Sequence, residues 1–102
     1  MDSPNSSLQE ATRLHAFIDG SVQGVGFRMY VLQHAQAIGL VGWVRNTYDG
    51  KVEVLAEGTY AQLERLVDRL RLGPRSAFVT EVKKEWLPPT GEFLDFSVRR
   101  TA

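Results

Sequence analysis

The chain has 102 residues, 43% of them hydrophobic, which is enough for a single domain with one compact core. Twelve basic residues balance twelve acidic ones, and this argues against a general nucleic-acid binder, which would present a clearly basic face. The absence of cysteine excludes disulfides and thiolate catalysis. Because we also find no apolar run of about 18 residues and no signal-like N-terminus, we expect a cytoplasmic protein that is monomeric and does not act on membranes.

The first segment in chain order is polar. Residues 1–11 contain Ser, Asn and Pro, so we predict a flexible N-terminal tail followed by one domain over residues 12–102. From Thr12 onward the side chains alternate, with Leu14, Ala16 and Ile18 on one face and His15, Phe17 and Asp19 on the other. A repeat of two residues is typical of a half-buried strand.

A glycine-rich turn follows this strand. Its sequence over Gly20–Arg28 is GSVQGVGFR, and glycines adopt positive φ at little cost, so successive main-chain N–H groups can point toward one place. A helix predicted over 27–38, with Gly39 as its left-handed C-cap, adds unpaired N–H groups and the positive end of its dipole. Arg28 adds a permanent cation whose planar fork suits phosphate oxygens. The segment is therefore predicted to bind an anion, in particular a phosphoryl group.

The same turn has a simpler interpretation, since many glycine-rich strand-to-helix turns only change the direction of the chain. The spacing is not that of a dinucleotide-binding loop, because the next glycine after Gly24 and Gly26 is Gly39. The turn also lacks the Gly-Lys-Ser/Thr ending of a nucleotide-binding P-loop. A nucleotide ligand is therefore not implied.

The second half of the chain repeats this pattern of strands and a helix. Two strands, 43–46 and 51–56, flank Asp49-Gly50, which is a strong hairpin signal. Thr59 is predicted to cap a second helix that ends at Gly73-Pro74. A strand around 78–86 and a short one around 94–98 complete the order. The resulting βαββαβ order predicts an α+β, ferredoxin-like split βαβ sandwich, in which an antiparallel sheet carries two helices on one face.

Function has to be inferred from particular residues, because the ferredoxin-like fold hosts RNA binders, metal carriers, sensors and enzymes. The segment Gly20–Arg28 matches the acylphosphatase signature Gly-x-Val-Gln-Gly-Val-x-Phe-Arg at every defined position. A second segment of that family is matched by Gly39–Asn46 followed by Asp49–Val54. The chain therefore resembles the acylphosphatase family over most of its length. Ser21 and Tyr48 depart from the commonest family pattern but leave the implied site in place.

The resemblance implies that the protein hydrolyses the carboxyl–phosphate bond of acyl phosphates, without a metal or other cofactor and with a small-molecule acyl phosphate as its partner. It implies that Arg28 pairs with the phosphoryl oxygens and that Asn46 holds the attacking water. It also implies that the phosphate is bound by the main-chain amides of Val22, Gln23, Gly24, Val25, Gly26, Phe27 and Arg28.

This chemistry suits the residues that are present. The leaving carboxylate has a conjugate acid with a pKa of about 4, so its departure needs no general acid. What remains is to neutralise phosphoryl charge and align a water molecule, which N–H groups, one arginine and one carboxamide can do. Taken alone, Asn46 would be interpreted as a turn residue that stabilises the chain reversal before the hairpin, and it is the surrounding Gly-Trp-Val-Arg-Asn segment that favours the catalytic role. We expect Gln23 to shape the loop, His15 and His34 to be structural, and Arg45 to form an ion pair at the surface and not to act as an auxiliary cation of the site.

Two other functions stay open on the sequence. The first is a non-catalytic module that binds phosphate or a phosphorylated metabolite, such as a stand-alone relative of the acylphosphatase-like domains of larger maturation proteins. Such a module would need the anion-binding turn but not Asn46. The second, an RNA-binding sheet, is less well supported, because the first strand offers only Phe17 and no run of basic and aromatic residues.

Overall fold

A computed structural model of the chain describes residues 6–102. The first five residues of the predicted tail therefore lie outside the described residues. A one-turn helix, α1, spans Ser6–Gln9, and the first strand, β1, spans Ala11–Ser21, so it begins one residue earlier than the alternation indicates.

The remaining elements follow the predicted order. Helix α2 spans Phe27–Ile38, strands β2 and β3 span Val41–Asn46 and Val52–Thr59, helix α3 spans Tyr60–Leu72, and strands β4 and β5 span Phe78–Leu87 and Phe96–Val98. The strands form one sheet in the order β4-β1-β3-β2-β5. Within residues 6–102, no helix has the length and apolar character needed to cross a bilayer.

The ferredoxin-like architecture is confirmed, with one addition. Strand β1 pairs antiparallel with both β3 and β4, and β2 pairs antiparallel with β3. The short strand β5 pairs parallel with β2, so the five-stranded sheet is mixed rather than purely antiparallel.

The core lies between the sheet and its two long helices. The inward positions of β1 predicted by alternation, Leu14, Ala16 and Ile18, are fully buried. They belong to one apolar cluster with residues of α2 and α3 that recur at helical spacing: Phe27, Val31, Ala35, Leu63, Leu66, Val67 and Leu70. Each helix therefore covers the same face of the sheet with one apolar stripe.

Local sequence signals end and begin these helices as expected. Gly39 follows α2 at φ 95, and its N–H donates to the carbonyl of Ala35, as in an αL C-cap. Thr59 caps α3 through a capping box, in which its side chain accepts from Gln62 N while the Gln62 side chain accepts from Thr59 N.

On the other face of the sheet, a buried carboxylate ties the turn after β4 to β1 and β3. Glu57 is 5% exposed and accepts hydrogen bonds from Arg13 Nε at 2.6 Å, Thr90 N at 3.0 Å and Gly91 N at 2.9 Å. Burial alone would raise the pKa of this carboxyl. The hydrogen bonds from Gly91, Thr90 and Arg13 outweigh it and lower the pKa of Glu57 to about 2.

Replacing Glu57 by glutamine is therefore expected to destabilise the fold in a pH-dependent way. A carboxyl pKa lowered from 4.5 to about 2 corresponds to roughly 3 kcal/mol of stability at neutral pH, at about 1.4 kcal/mol per pKa unit. Because the folded-state pKa is the lower one, this contribution is complete above pH 4.5 and is lost as the pH falls toward about 2. Urea unfolding across this range measures it, with the exposed Glu85→Gln as the control variant. A stability difference that does not shrink in acid would contradict the assignment.

Candidate active site

The pairing of the strands places Asn46 beside the end of β1. Ile18 pairs with Val52, and Val52 pairs with Asn46, so these residues form one row across β1, β3 and β2. Ile18 and Val52 are fully buried under the helices, and Asn46 is 9% exposed. An amide side chain therefore occupies an inward position where the rest of the row is apolar, at the end of the sheet where β1 enters the glycine-rich turn.

The turn between β1 and α2 has the backbone conformation that its glycines permit. Gly24 and Gly26 have φ of 74 and 80, a region that residues with a Cβ rarely adopt. A Cβ added at either position would meet no atom within 4 Å, so glycine is required for conformation and not for space. Left-handed residues alternating with ordinary ones turn successive N–H groups toward one side of the chain, which makes a concave surface for an anion.

The N–H groups of this turn have no acceptors within the chain as described. The first main-chain hydrogen bond of α2 runs from Tyr30 N to Gly26 O at 3.0 Å. Among residues 6–102, we find no acceptor that is hydrogen-bonded to a main-chain N–H group from Val22 to Met29. These donors, together with the positive end of the α2 dipole, favour a bound anion at this place.

Gln23 holds the turn against the neighbouring hairpin. Its Nε2 donates to the carbonyls of Thr47 at 2.7 Å and Lys51 at 2.8 Å, which lie directly after β2 and before β3. Val25 packs against the apolar core. The turn is therefore fixed relative to Asn46 by one polar side chain and one apolar side chain, as expected for Gln23.

The turn and Asn46 line one cavity of about 280 Å³. Of the residues that the sequence singles out, the cavity is lined by Val22, Gly24, Gly26, Phe27, Arg28 and Asn46. Gln23 and Val25 are not in its lining, which agrees with their contacts to the hairpin and the core. The cavity therefore brings Arg28 and Asn46 together although they are far apart in sequence.

Both polar side chains in this cavity lack partners among the described residues. Arg28 is half-buried, and none of the ion pairs found over residues 6–102 includes it. The Oδ1 atom of Asn46 is buried and has no hydrogen-bond partner in that part of the chain. A buried acceptor without a partner in the protein is available to a bound ligand or to a water molecule.

Other candidate residues lie elsewhere. His15 and Arg45 are on the face of the sheet opposite the helices, where both contact Glu53, at 2.7 Å and 2.8 Å. Burial raises the pKa of Glu53, and the bonds from His15 and Arg45 outweigh it and lower the pKa. His34 packs edge-on against Tyr30. In residues 6–102, no three His, Cys, Asp or Glu side chains cluster in a metal-binding arrangement.

The cavity is also lined by two residues that were not predicted from the sequence. Met29 is 53% exposed and Val98 is 39% exposed. Met29 follows Arg28 in the first turn of α2, and Val98 ends β5. No local signal marks Val98, because its place depends on the parallel pairing of β5 with β2.

Comparison with known proteins shows the family of the chain. The sequence model of the acylphosphatase family matches residues 14–98. The chain is 50% identical to an acylphosphatase of Moorella thermoacetica over 80 residues, covering 78% of this chain and 86% of the relative. It is 51% identical to one of Pseudomonas paraeruginosa over 87 residues, covering 85% and 94%.

A solved structure shows the same fold. The crystal structure of acylphosphatase from Bacillus subtilis superposes with a TM-score of 0.84 at 35% identity, covering 86% of this chain and 98% of that chain. The matched region of the family model includes the glycine-rich turn, Arg28 and Asn46. The chain therefore belongs to the acylphosphatase family.

Proposed function

We propose that this protein hydrolyses acyl phosphates to a carboxylate and inorganic phosphate, and that the cavity between the glycine-rich turn and Asn46 is its active site. The domain responsible is residues 12–102. The proposed form is a monomer. The proposed location is the cytoplasm.

The phosphoryl group binds in the turn. Main-chain amides of the lining residues Val22, Gly24, Gly26, Phe27 and Arg28 donate to its oxygens, and the Arg28 guanidinium pairs with two of them. The support is that these amides have no acceptors among residues 6–102 and that no carboxylate in this range pairs with Arg28. Donors fixed before the substrate arrives stabilise the charge that develops in the transition state without having to reorganise.

Asn46 aligns the nucleophile. Its carboxamide can accept a hydrogen bond from a water molecule through Oδ1 and donate one through Nδ2. The water oxygen forms a bond to phosphorus while the bond from phosphorus to the acyl oxygen breaks, and the electron pair of that bond leaves with the carboxylate. A proton of the water passes to a phosphoryl oxygen, so the protein itself supplies no base.

The chemistry requires no protein acid, because a carboxylate with a conjugate acid of pKa about 4 leaves unprotonated. In phosphoryl transfer most of the catalytic effect comes from positioning and from stabilisation of charge. We therefore propose that the reaction needs neither a metal nor an organic cofactor.

One observation favours hydrolysis over phosphate binding without turnover. The cavity contains, beside the anion-binding turn, a buried carboxamide oxygen without a hydrogen-bond partner in the described chain. A binding module needs the anion-binding turn but no such group beside it. A water-aligning residue requires such a group.

Turnover of benzoyl phosphate in excess EDTA tests the proposal. We expect hydrolysis well above the spontaneous rate, unaffected by the chelator and inhibited competitively by inorganic phosphate. Phosphate binding without turnover would identify the protein as a binding module instead. Turnover that disappears with EDTA and returns with a divalent cation would contradict the metal-free mechanism.

A further inference from the structure

The cavity has an apolar wall that the phosphoryl chemistry does not use. Met29 and Val98 line it beside Arg28 and Asn46. With 53% and 39% of their surfaces exposed, neither side chain is needed to fill the core. Single exposed apolar residues are ordinary on a protein surface, but here two of them share one cavity with the catalytic candidates.

The fold fixes both side chains next to the polar groups. Met29 lies in the first turn of α2, one residue after Arg28. Val98 pairs with Val44 in the parallel ladder, and Val44 lies two residues before Asn46 on the same strand. Because alternate residues of a strand point to the same side, Val44 and Asn46 both face the helices. Val98 pairs with Val44 and therefore lies beside it at the edge of the sheet.

The size and polarity of the cavity match a substrate with a charged phosphoryl end and an apolar acyl end. A water molecule takes up about 30 Å³ in the liquid, whereas pockets for small organic ligands begin at about 300 Å³. At about 280 Å³, this cavity has room for a small organic group besides a phosphate and one water. The phosphoryl end needs the N–H donors and Arg28, so the apolar wall remains for the acyl end.

We infer that Met29 and Val98 form the subsite for the acyl group, and that the protein prefers acyl phosphates whose acyl group is apolar and larger than acetyl. This inference rests on the proposed function. The substrate class is inferred from Met29 and Val98, which would contact the acyl chain, and not from the residues that bind the phosphate.

Acetyl and butyryl phosphate both release an unbranched alkyl carboxylate, so the bond that breaks is the same in both. A difference in kcat/KM between them therefore reports contact of the protein with the acyl chain. Burying a methylene fully is worth roughly fourfold in a binding constant. Because the wall formed by Met29 and Val98 is half open to solvent, we expect half of that free energy for each methylene. Butyryl phosphate has two more methylenes than acetyl phosphate, so wild-type kcat/KM should be about fourfold higher for butyryl phosphate.

The variants that test the subsite keep its shape and change its polarity. Met29→Gln keeps chain length and helix propensity, and Val98→Thr replaces one methyl group by a hydroxyl. Leu94→Gln is the matched control, because Leu94 is 98% exposed and is not in the cavity lining. The inhibition constant of inorganic phosphate, measured for every variant, reports whether the anion-binding turn is intact.

In the double variant we expect the ratio of butyryl to acetyl kcat/KM to fall to near one, with the inhibition constant of phosphate unchanged, while Leu94→Gln keeps the wild-type ratio. A double variant that keeps the wild-type ratio would overturn the subsite while leaving the proposed function intact. A wild-type protein that hydrolyses neither substrate would instead overturn the proposed function.

Discussion

Replacing Arg28 by alanine is expected to lower kcat/KM for benzoyl phosphate by about 1000-fold, which is the range found for single charged or oxyanion-stabilising donors. The guanidinium lies in the cavity and has no carboxylate partner over residues 6–102, so its charge is available to the substrate. Since it contacts the phosphoryl group in the ground state as well, the inhibition constant of phosphate should rise by at least about tenfold. Steady-state kinetics with phosphate as inhibitor measure both effects.

Two further variants make this result specific. Arg28→Lys keeps the charge but loses the planar fork, so we expect a rate between those of wild type and Arg28→Ala. Arg75→Ala removes an exposed arginine that is not in the cavity lining and should leave the kinetics unchanged. If Arg28→Ala and Arg75→Ala behave alike, Arg28 is a surface residue and the proposed mechanism is wrong.

Replacing Asn46 by alanine should separate turnover from binding. We expect kcat to fall by about 100- to 1000-fold while the inhibition constant of phosphate stays close to the wild-type value, because Asn46 orients water and does not hold the phosphate. The free energy of unfolding should change little, since the variant removes no hydrogen bond from Oδ1 to another described residue. Kinetics and urea unfolding on the same preparation test both statements.

The alternative role of Asn46 makes the opposite prediction. If Asn46 only stabilised the chain reversal after β2, its replacement would lower the free energy of unfolding and leave kcat of the folded protein intact. Tyr48→Ala serves as the control in the same hairpin, because Tyr48 is 85% exposed and outside the cavity lining. A destabilised but fully active Asn46→Ala would remove Asn46 from the mechanism.

The fold was predictable where the signals are local. Alternation marks the inward residues of β1, Asp49-Gly50 marks the hairpin, and Thr59 and Gly39 mark helix ends, because each of these features depends on neighbours only a few residues away. The parallel pairing of β5 was not predictable in this way. Phe96–Val98 pairs with Gly42–Val44, and no turn or spacing in the sequence links segments so far apart.

The same distinction applies to the cavity. The glycine-rich turn and Arg28 are contiguous in sequence, so their common location follows from the strand-to-helix order. For Asn46 the signal is a polar residue at an inward strand position two residues after Val44, where the alternation calls for an apolar side chain. Met29 looks like any solvent-facing helix residue in sequence, and only the three-dimensional arrangement brings it together with Val98.

Titration of isotope-labelled protein with inorganic phosphate in EDTA, followed through the main-chain amide resonances, tests directly whether the glycine-rich turn binds phosphate. The largest shifts should occur in the amides from Val22 to Arg28. They should saturate with a dissociation constant equal to the competitive inhibition constant, and Arg28→Ala should weaken this binding. Shifts concentrated elsewhere, for example at the groove that contains His34 and Arg65, or no saturation at inhibitory phosphate concentrations, would contradict it.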